Sequence, residues 1–363
     1  MIRTTIFPGR YVQGHEATKR LGQEAARLGK TAFLVCDPFA YDNLLPRFEA
    51  ELTQAVTVNK ERFGGECSDE EIERLTALVK AENTEVIIGV GGGKALDTAK
   101  AVAYMAGLPV IIVPTIASTD APCSALSVIY TPHGVFKRYL ILPHNPNVVL
   151  VDTQIIAEAP VRFLAAGIGD ALSTWFEADA CERSFASNMT GDVGSMTAYA
   201  LSRFCYETLL EYGVAAKISC EANVVTPALE HIVEANTLLS GLGFESGGLA
   251  SCHAIHNGLT ALEQTHAYWH GEKVTIGVLA SLFLTDKPAD LIDEVYTLCE
   301  SVGLPTTLAE IGLGEVSDEE LLVVAKAACA EGETIHHEPM PVTPEMVFAA
   351  LKAADAEGRR RQN

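Results

Sequence analysis

Residues 85–97 read EVIIGVGGGKALD, an apolar run that is followed by a glycine cluster and then by a helix-like segment. The apolar run at 85–90 has the length and the β-branched content of a buried strand, and the glycines after it allow a tight turn. A strand that turns directly into a helix is the building unit of a parallel α/β sheet. These thirteen residues therefore predict an α/β fold for this part of the chain.

The same alternation extends on both sides of this stretch. Further strand-like runs lie at 31–36, 109–113 and 148–151, and helical patterns lie at 16–28, 68–82 and 94–105. Because wholly apolar strands alternate with helices, we expect a parallel sheet with helices on both faces. The N-terminal part is predicted to be a Rossmann-like α/β domain.

The sequence changes character near residue 160. Strand-like runs become rare beyond it, and helical patterns dominate at 171–181, 197–210, 226–239 and 321–330. We therefore predict two domains, an α/β domain of residues 1–160 and an all-α domain of residues 161–363. The polar residues 359–363 are expected to form a frayed tail.

Composition limits the classes of partner. The chain has 363 residues, 48% of them hydrophobic, and a formal net charge of −21. Such an acidic surface repels phosphate backbones, so we expect no nucleic-acid partner. The apolar runs are too short to span a membrane, and the N-terminus lacks the apolar core of a signal peptide. Nine cysteines without a C-x-x-C pair indicate free thiols, so we expect a cytoplasmic protein.

The glycine cluster is a candidate site for a nucleotide diphosphate. Small residues let the backbone approach a ligand, and the helix that follows presents free N–H groups. Lys94 stands where the G-x-G-x-x-G pattern has its last glycine, so a turn without a ligand is an equally good interpretation. Asp37, at the end of an earlier strand, is placed to accept a hydrogen bond from a ribose 2′-hydroxyl and so to favour NAD over NADP. It is also explained as an acid that opens a turn before Pro38.

A hydroxyl-rich segment follows the strand at 109–113. Residues 114–127 are mostly small or hydroxyl-bearing, and ligands of open α/β sheets bind beyond the carboxyl ends of strands. This segment is either a second part of a ligand site or an ordinary polar loop.

The second part of the chain contains candidate metal ligands. Asp170 is expected to follow a glycine-rich turn and to begin a helix. His253 and His256 are spaced to share one helix face, and His266 and His270 are four residues apart. Two imidazoles and one carboxylate form a common catalytic zinc set with an open position. Packing explains any single histidine more simply, whereas the cluster favours a metal.

Longer motifs connect the chain to a known family. They are GGGK-x-LD at 91–97, PTIASTDAPCSALSVIY at 114–130, AAGIGDAL at 165–172, FESGGLA at 244–250, His253, and HGEKV at 270–274. With these motifs the chain resembles the glycerol dehydrogenases of the iron-containing alcohol dehydrogenase family, over about residues 9–354. The fold of that family is similar to that of dehydroquinate synthase.

The resemblance implies a set of site residues. Asp170, His253 and His270 match the metal ligands of the family. Asp120 matches an acid beside the substrate, and Phe244 matches a ring that packs against the substrate. The positions that hold NAD match Asp37, Gly93, Lys94, Asp97, Thr115, Ser118, Ser124, Leu126 and Tyr130. The resemblance also implies an active site in the cleft between the two domains, and a homo-oligomer, for which an octamer is one expected size.

One departure from the wider family bears on the metal. Many iron-type members have a further histidine ligand four residues after the acid, and here that position is Thr174. The three remaining ligands suit zinc and leave room for both oxygens of a vicinal diol. The resemblance thus implies NAD-dependent oxidation of glycerol, or of a related diol, to dihydroxyacetone by hydride transfer from a zinc-bound alkoxide. Asp120 would orient a hydroxyl or relay its proton, with His256 as the reserve candidate.

Two other functions use the same fold or part of it. A non-redox lyase or a glycerol-phosphate dehydrogenase needs several basic residues in the cleft, and only Arg162, Arg183 and Lys273 lie near the metal segments. A nucleotide-binding scaffold without catalysis would have no reason to keep a complete metal set. Both alternatives are therefore less consistent with the sequence than the dehydrogenase.

Overall fold

The computed structural model describes residues 1–362, which form two compact units. The α/β unit comprises Ile6–Pro160 and Ser219–Val233, and the helical unit comprises Met1–Thr5, Val161–Ile218 and the residues from Glu234 onward. The main division falls after Pro160. Unlike the two continuous predicted domains, each unit also takes a short segment from the other side of this point.

The α/β unit contains eight strands. They are β1 (Tyr11–Gly14), β2 (Thr31–Cys36), β3 (Thr57–Arg62), β4 (Val86–Gly91), β5 (Val110–Pro114), β6 (Leu126–Tyr130), β7 (Phe136–Ile141) and β8 (Val148–Asp152). Six of them form one sheet in the order β1-β8-β5-β4-β2-β3, and every neighbouring pair is parallel. Strands β6 and β7 form a separate antiparallel hairpin.

Six α-helices alternate with these strands along the chain. They are α1 (Leu21–Ala26), α2 (Pro38–Asn43), α3 (Glu49–Ala55), α4 (Asp69–Ala81), α5 (Gly93–Ala106) and α6 (Thr153–Glu158). Helix α4 begins where the sequence predicted, because Ser68 Oγ accepts a hydrogen bond from the amide of Glu71 and three acids occupy the first turn. The predicted helix at 16–28 is wrong in its first part, since Ala17–Arg20 form a 3₁₀ turn before α1.

The four predicted strands are present as β2, β4, β5 and β8, and their side chains are buried almost throughout. Each fully buried Val, Ile or Leu in them contributes about 1.5–3 kcal/mol to folding. The four strands that the sequence analysis missed have little apolar alternation. Strand β3, for example, reads TVNKER and lies at the sheet edge, where pairing with β2 and not burial makes it a strand.

Nine further α-helices follow within residues 1–362, and the longest has 26 residues. They are α7 (Val161–Ser184), α8 (Met196–Glu221), α9 (Pro227–Glu234), α10 (Ser240–Gly247), α11 (Ser251–Leu259), α12 (His270–Leu284), α13 (Ala289–Val302), α14 (Asp318–Ala328) and α15 (Pro344–Gln362). A π turn (Ala235–Leu239) joins α9 to α10. The expected frayed tail is wrong for residues 359–362, because α15 extends to Gln362 and Arg361 bonds Asp293 and Glu300.

The fold class predicted from sequence, a parallel α/β unit and an all-α unit, is the one observed. None of the helices within residues 1–362 combines the length and the apolar character that a membrane span needs.

Candidate metal centre and nucleotide-binding residues

Three helices carry the predicted metal ligands. Asp170 lies in the third turn of α7, His253 in the first turn of α11, and His270 is the first residue of α12. The expectation that Asp170 begins a helix is wrong, because α7 starts nine residues earlier. The glycines at 167 and 169 do not form a turn but lie inside this helix.

Glycines allow these helices to touch along their backbones. A Cβ at Gly169 would lie 2.6 Å from the carbonyl oxygen of Gly271, and a Cβ at Gly271 would collide with the carbonyl of Ala166. Helix α12 approaches α11 in the same way, since a Cβ at Gly277 would collide with the carbonyl of Cys252. Both contacts occur within one residue of a ligand, so the close packing brings the three ligands together.

The three ligand side chains converge on a small volume. One donor atom from each of Asp170, His253 and His270 lies within 4.8 Å of the others. Asp170 Oδ1 is 3.1 Å from Nε2 of His270 and 3.6 Å from Nε2 of His253. With bond lengths of 2.0–2.2 Å, two ligands of a tetrahedral zinc ion are about 3.3 Å apart, so these spacings fit zinc. The donor set of two imidazoles and one carboxylate is also one that zinc accepts.

Glu177 orients the first histidine. It lies two turns after Asp170 on α7, fully buried, and its Oε2 is 2.6 Å from Nδ1 of His253. The other oxygen accepts hydrogen bonds from the amides of Ala250 and His253, both at 2.9 Å. This carboxylate fixes the imidazole so that Nε2 points toward Asp170, which is the usual support of a metal-bound histidine.

A chain of hydrogen bonds orients the second histidine. Nδ1 of His270 is 3.0 Å from Nε2 of His256, and Nδ1 of His256 is 3.1 Å from Oδ1 of Asn257. The amide of Asn257 donates in turn to Glu333 at 3.0 Å. When Nε2 of His270 binds a metal, its Nδ1 carries the proton and donates to His256, so every link has a consistent donor.

The charges of the cluster support this arrangement. Burial raises the pKa of Asp170, but the imidazoles of His270 and His253 outweigh it and hold that pKa below the ordinary value. Burial lowers the pKa of His253, but Glu177 and Asp170 outweigh it and raise the pKa well above its usual range. Burial, reinforced by His270, lowers the pKa of His256 well below its usual range, so this imidazole is neutral and able to accept.

Other residues that the sequence singled out have different surroundings. His266 is exposed and its Nε2 lies 2.9 Å from the carbonyl of Thr260, apart from the cluster. Thr174 is buried and its hydroxyl is 2.9 Å from Oγ of Ser240. This pair occupies the face of α7 one turn beyond Asp170. Phe244 is buried in α10.

Some of the predicted nucleotide residues lie at one edge of the parallel sheet. Asp37, the Gly91–Gly93 turn and Thr115 follow the adjacent strands β2, β4 and β5, so they share the carboxyl edge, where α/β sheets bind ligands. Gly91 has a φ of +150°, and a Cβ there would lie 2.7 Å from the Cβ of Asp37. Helix α5 begins at Gly93 directly behind this turn, with its N–H groups toward the same edge.

Asp37 has the local role that the alternative interpretation gave it. Its Oδ1 accepts the amides of Phe39 at 2.9 Å and of Ala40 at 3.4 Å, and so caps α2. The cap uses one carboxylate oxygen, which leaves the geometry compatible with a ribose contact through the other.

Lys94 is ion-paired in this structure. Its Nζ donates to both oxygens of Glu66, at 2.6 and 2.7 Å, and lies 5.0 Å from the ring centre of Tyr130. Asp97 and Ser124 face the buried Lys100.

Sequence reasoning missed Glu66 and Lys100 because no motif marks them. It also missed Glu177, although the seven-residue spacing from Asp170 places both acids on one helix face.

The remaining predicted residues lie on the segment after β5. Ser118 and Asp120 belong to the loop between β5 and β6, where Asp120 is buried, and Leu126 and Tyr130 are the two ends of β6. Their contact with a cofactor or a substrate stays a prediction.

Comparison with known proteins identifies the family. The family described as Iron-containing alcohol dehydrogenase matches residues 8–153. A glycerol dehydrogenase from Thermotoga maritima is 70% identical over 364 residues, with full coverage of both chains. One from Escherichia coli is 53% identical over 361 residues, which covers 99% of this chain and 98% of the relative. The crystal structure of glycerol dehydrogenase from Schizosaccharomyces pombe superposes with a TM-score of 0.96 at 42% identity, covering 99% of this chain and 92% of that one.

These similarities extend over the whole length of the chain and confirm the dehydroquinate synthase-like fold class. The identities lie far above the level at which only a fold is shared. The chain belongs to the iron-containing alcohol dehydrogenase family, and the relatives described here are its glycerol dehydrogenases.

Proposed function

We propose that this protein is a zinc- and NAD-dependent glycerol dehydrogenase. The observation that carries the proposal is the convergence of Asp170, His253 and His270, with both imidazoles fixed through Nδ1 and both Nε2 atoms beside one buried carboxylate. The names of the similar proteins support glycerol as the substrate. The proposed reaction converts glycerol and NAD⁺ into dihydroxyacetone, NADH and a proton.

In the proposal, Asp170, His253 and His270 hold the metal, which supplies a Lewis acid that acidifies a substrate hydroxyl. Three protein ligands leave open positions, and two adjacent hydroxyls of a vicinal diol suit them. Glu177 and His256 keep the two imidazoles in place. Asp120 orients a hydroxyl or accepts its proton, and Phe244 provides an apolar wall for the carbon skeleton.

The α/β unit supplies the residues for the nucleotide. Asp37 accepts a hydrogen bond from a ribose hydroxyl and disfavours a 2′-phosphate, which selects NAD. The N-terminus of α5 at Gly93 and the ammonium of Lys94 offer positive charge to the diphosphate. Thr115 follows β5 at the same edge, and Ser118 and Tyr130, on the segment after β5, provide further contacts to the nucleotide in the proposal. Bound NAD would supply the hydride acceptor for oxidation at C2 of glycerol.

The phosphate-dependent alternatives need free cations near the metal segments, and two of the three cations there are ion-paired. Arg162 makes a two-pronged ion pair with Glu272, at 2.6 and 2.9 Å, and Arg183 pairs with Asp179. Lys273 is buried. A phosphorylated substrate would have to displace these carboxylates, so a neutral polyol is favoured.

The test is the rate of NADH formation by zinc-loaded protein with glycerol, 1,2-propanediol or glycerol phosphate as the substrate. We expect NADH with the two neutral polyols and little with the phosphate ester. An absence of NADH with every neutral polyol would contradict the proposal and favour the lyase. Cytoplasmic location and assembly into a homo-oligomer stay predictions.

A further inference from the structure

Lys100 is a buried cation that the proposed mechanism does not use. It lies on α5 with 1% of its surface exposed. Its ammonium is 3.0 Å from the carbonyl oxygen of Ala121, 3.4 Å from that of Ser124 and 3.3 Å from Oγ of Ser124, and it also donates to the carbonyl of Leu126. The backbone between β5 and β6 therefore curls around this one ammonium group.

Asp97 completes the arrangement. One carboxylate oxygen lies 2.9 Å from the ammonium of Lys100, one helical turn away. The other accepts the amide of Val128 at 2.9 Å, and the backbone carbonyl of Asp97 accepts the hydroxyl of Ser127 at 2.9 Å. The two side chains thus attach α5 to the whole segment 121–128, a set of contacts that we call the Lys100 clamp.

The physical reason for a charged group here is the orientation of the carbonyls. Three carbonyl dipoles that point at one place repel each other unless a cation lies between them. Burying a lysine is unfavourable unless the ammonium is paired and fully hydrogen-bonded, and here Asp97 and the carbonyls satisfy both conditions. The clamp therefore fixes the shape of the loop more than it adds net stability.

We propose that Lys100 and Asp97 are positioning residues that hold the loop between β5 and β6 in its nucleotide-binding shape. They act through Ser124 and Leu126, which the clamp contacts directly and which are among the residues predicted to hold NAD. This inference rests on the proposed function. It reassigns Asp97 from a cofactor contact to a support of the loop.

The decisive variant is Lys100→Met, which removes the charge and keeps the chain length. Lys137→Met is the matched control, because Lys137 lies on β7, the partner strand of β6, but is half-exposed and pairs with Asp69. If the loop between β5 and β6 adopts its nucleotide-binding shape only one tenth as often, the apparent Kd for NADH and the KM for NAD rise about 10-fold. The value of kcat at saturating NAD then changes less than about two-fold. Amide hydrogen exchange at residues 121–128 should also become faster. The control should match the wild type.

Wild-type NADH affinity and wild-type exchange rates in a folded Lys100→Met protein would overturn the inference. If that variant does not fold, Ser127→Ala provides the test. It removes only the hydrogen bond from the Ser127 hydroxyl to the Asp97 carbonyl and leaves the Lys100–Asp97 ion pair intact. We then expect faster exchange at 121–128, and unchanged exchange would overturn the inference. If the wild type itself binds no NADH, the proposed function is wrong. The amide exchange rates at 121–128 then test on their own whether the Lys100 clamp holds the loop.

Discussion

At the scale of single residues, the metal centre depends on side chains that hold the ligands as much as on the ligands. His253 and His270 each have one ring nitrogen beside Asp170 and the other engaged by Glu177 or His256. The sequence revealed the three ligands because two histidine motifs and one acid stand in family-specific segments. It did not reveal Glu177, because the spacing from Asp170 places it on the same helix face but only its buried partner, His253, distinguishes it from other residues of that face.

Replacing a ligand should remove the metal and leave the fold. We expect His253→Ala to lose tightly bound zinc and to show no measurable dehydrogenase activity, while its circular dichroism spectrum stays that of the wild type. The control is His266→Ala, which removes a nearby exposed histidine outside the cluster. Zinc content by elemental analysis separates the two variants, and full zinc occupancy in His253→Ala would contradict the assignment.

Replacing Glu177 should weaken the metal without removing a ligand. In Glu177→Gln the amide oxygen can still accept the backbone amides of Ala250 and His253, but the NH₂ group opposes the Nδ1 proton of His253. Loss of such a supporting carboxylate typically lowers metal affinity 10- to 100-fold. Chelator competition measures this affinity, and a zinc Kd equal to that of the wild type would show that Glu177 does not orient the ligand.

At the scale of elements, glycine-mediated contacts between α7, α11 and α12 position the ligands. Gly169 and Gly271 bring α7 against α12 beside Asp170 and His270. Sequence reasoning took the glycines at 167 and 169 for a turn, since glycine commonly marks one. The role of these glycines in helix packing can be predicted only when it is known which helix packs against them. Strands β1, β3, β6 and β7 were missed for a similar reason, because pairing and not apolar alternation defines them.

Adding one methyl group at this contact should destabilise the helical unit. A Cβ in Gly271→Ala would collide with the Ala166 carbonyl on α7, so the two helices must separate. We expect the free energy of unfolding to fall by about 2–3 kcal/mol, together with a loss of zinc affinity. Chemical denaturation measures the first effect and chelator competition the second.

The matched control is Gly213→Ala, within α8. A Cβ there would come closest to the flexible end of Leu298, at 3.2 Å, with Val302 and Ile168 at ordinary contact distances, and alanine favours helix. We expect the free energy of unfolding to change by less than about 1 kcal/mol. Equal effects of the two substitutions would refute the special role of the α7–α12 contact.

At the scale of the whole molecule, the division into an α/β unit and a helical unit could be predicted because strand-like runs cease near residue 160. Asp37, the Gly91–Gly93 turn and Thr115 share one sheet edge, since the carboxyl ends of β2, β4 and β5 are neighbours. The exchange of short segments between the units could not be predicted, because nothing in the sequence of 219–233 or 1–5 records which core it joins.

The nine cysteines give a prediction for the complete chain. All nine lie outside any disulfide and eight are buried. Burial raises the pKa of Cys36 and of Cys67 to about 12, so these thiols stay protonated and unreactive near neutral pH. We expect thiol titration to detect nine groups in denatured protein, and in native protein rapid reaction only of the half-buried Cys329. Fewer than nine thiols after denaturation without reductant would indicate a disulfide and contradict the structure.

The central claim is that Asp170, His253 and His270 hold a zinc ion that is needed to oxidise glycerol. The most direct test follows NADH formation from glycerol and NAD in one sample as isolated, after chelation, and after zinc is restored. We predict that chelation abolishes NADH formation and that zinc restores it. Undiminished NADH formation in protein shown by elemental analysis to be metal-free would contradict the claim.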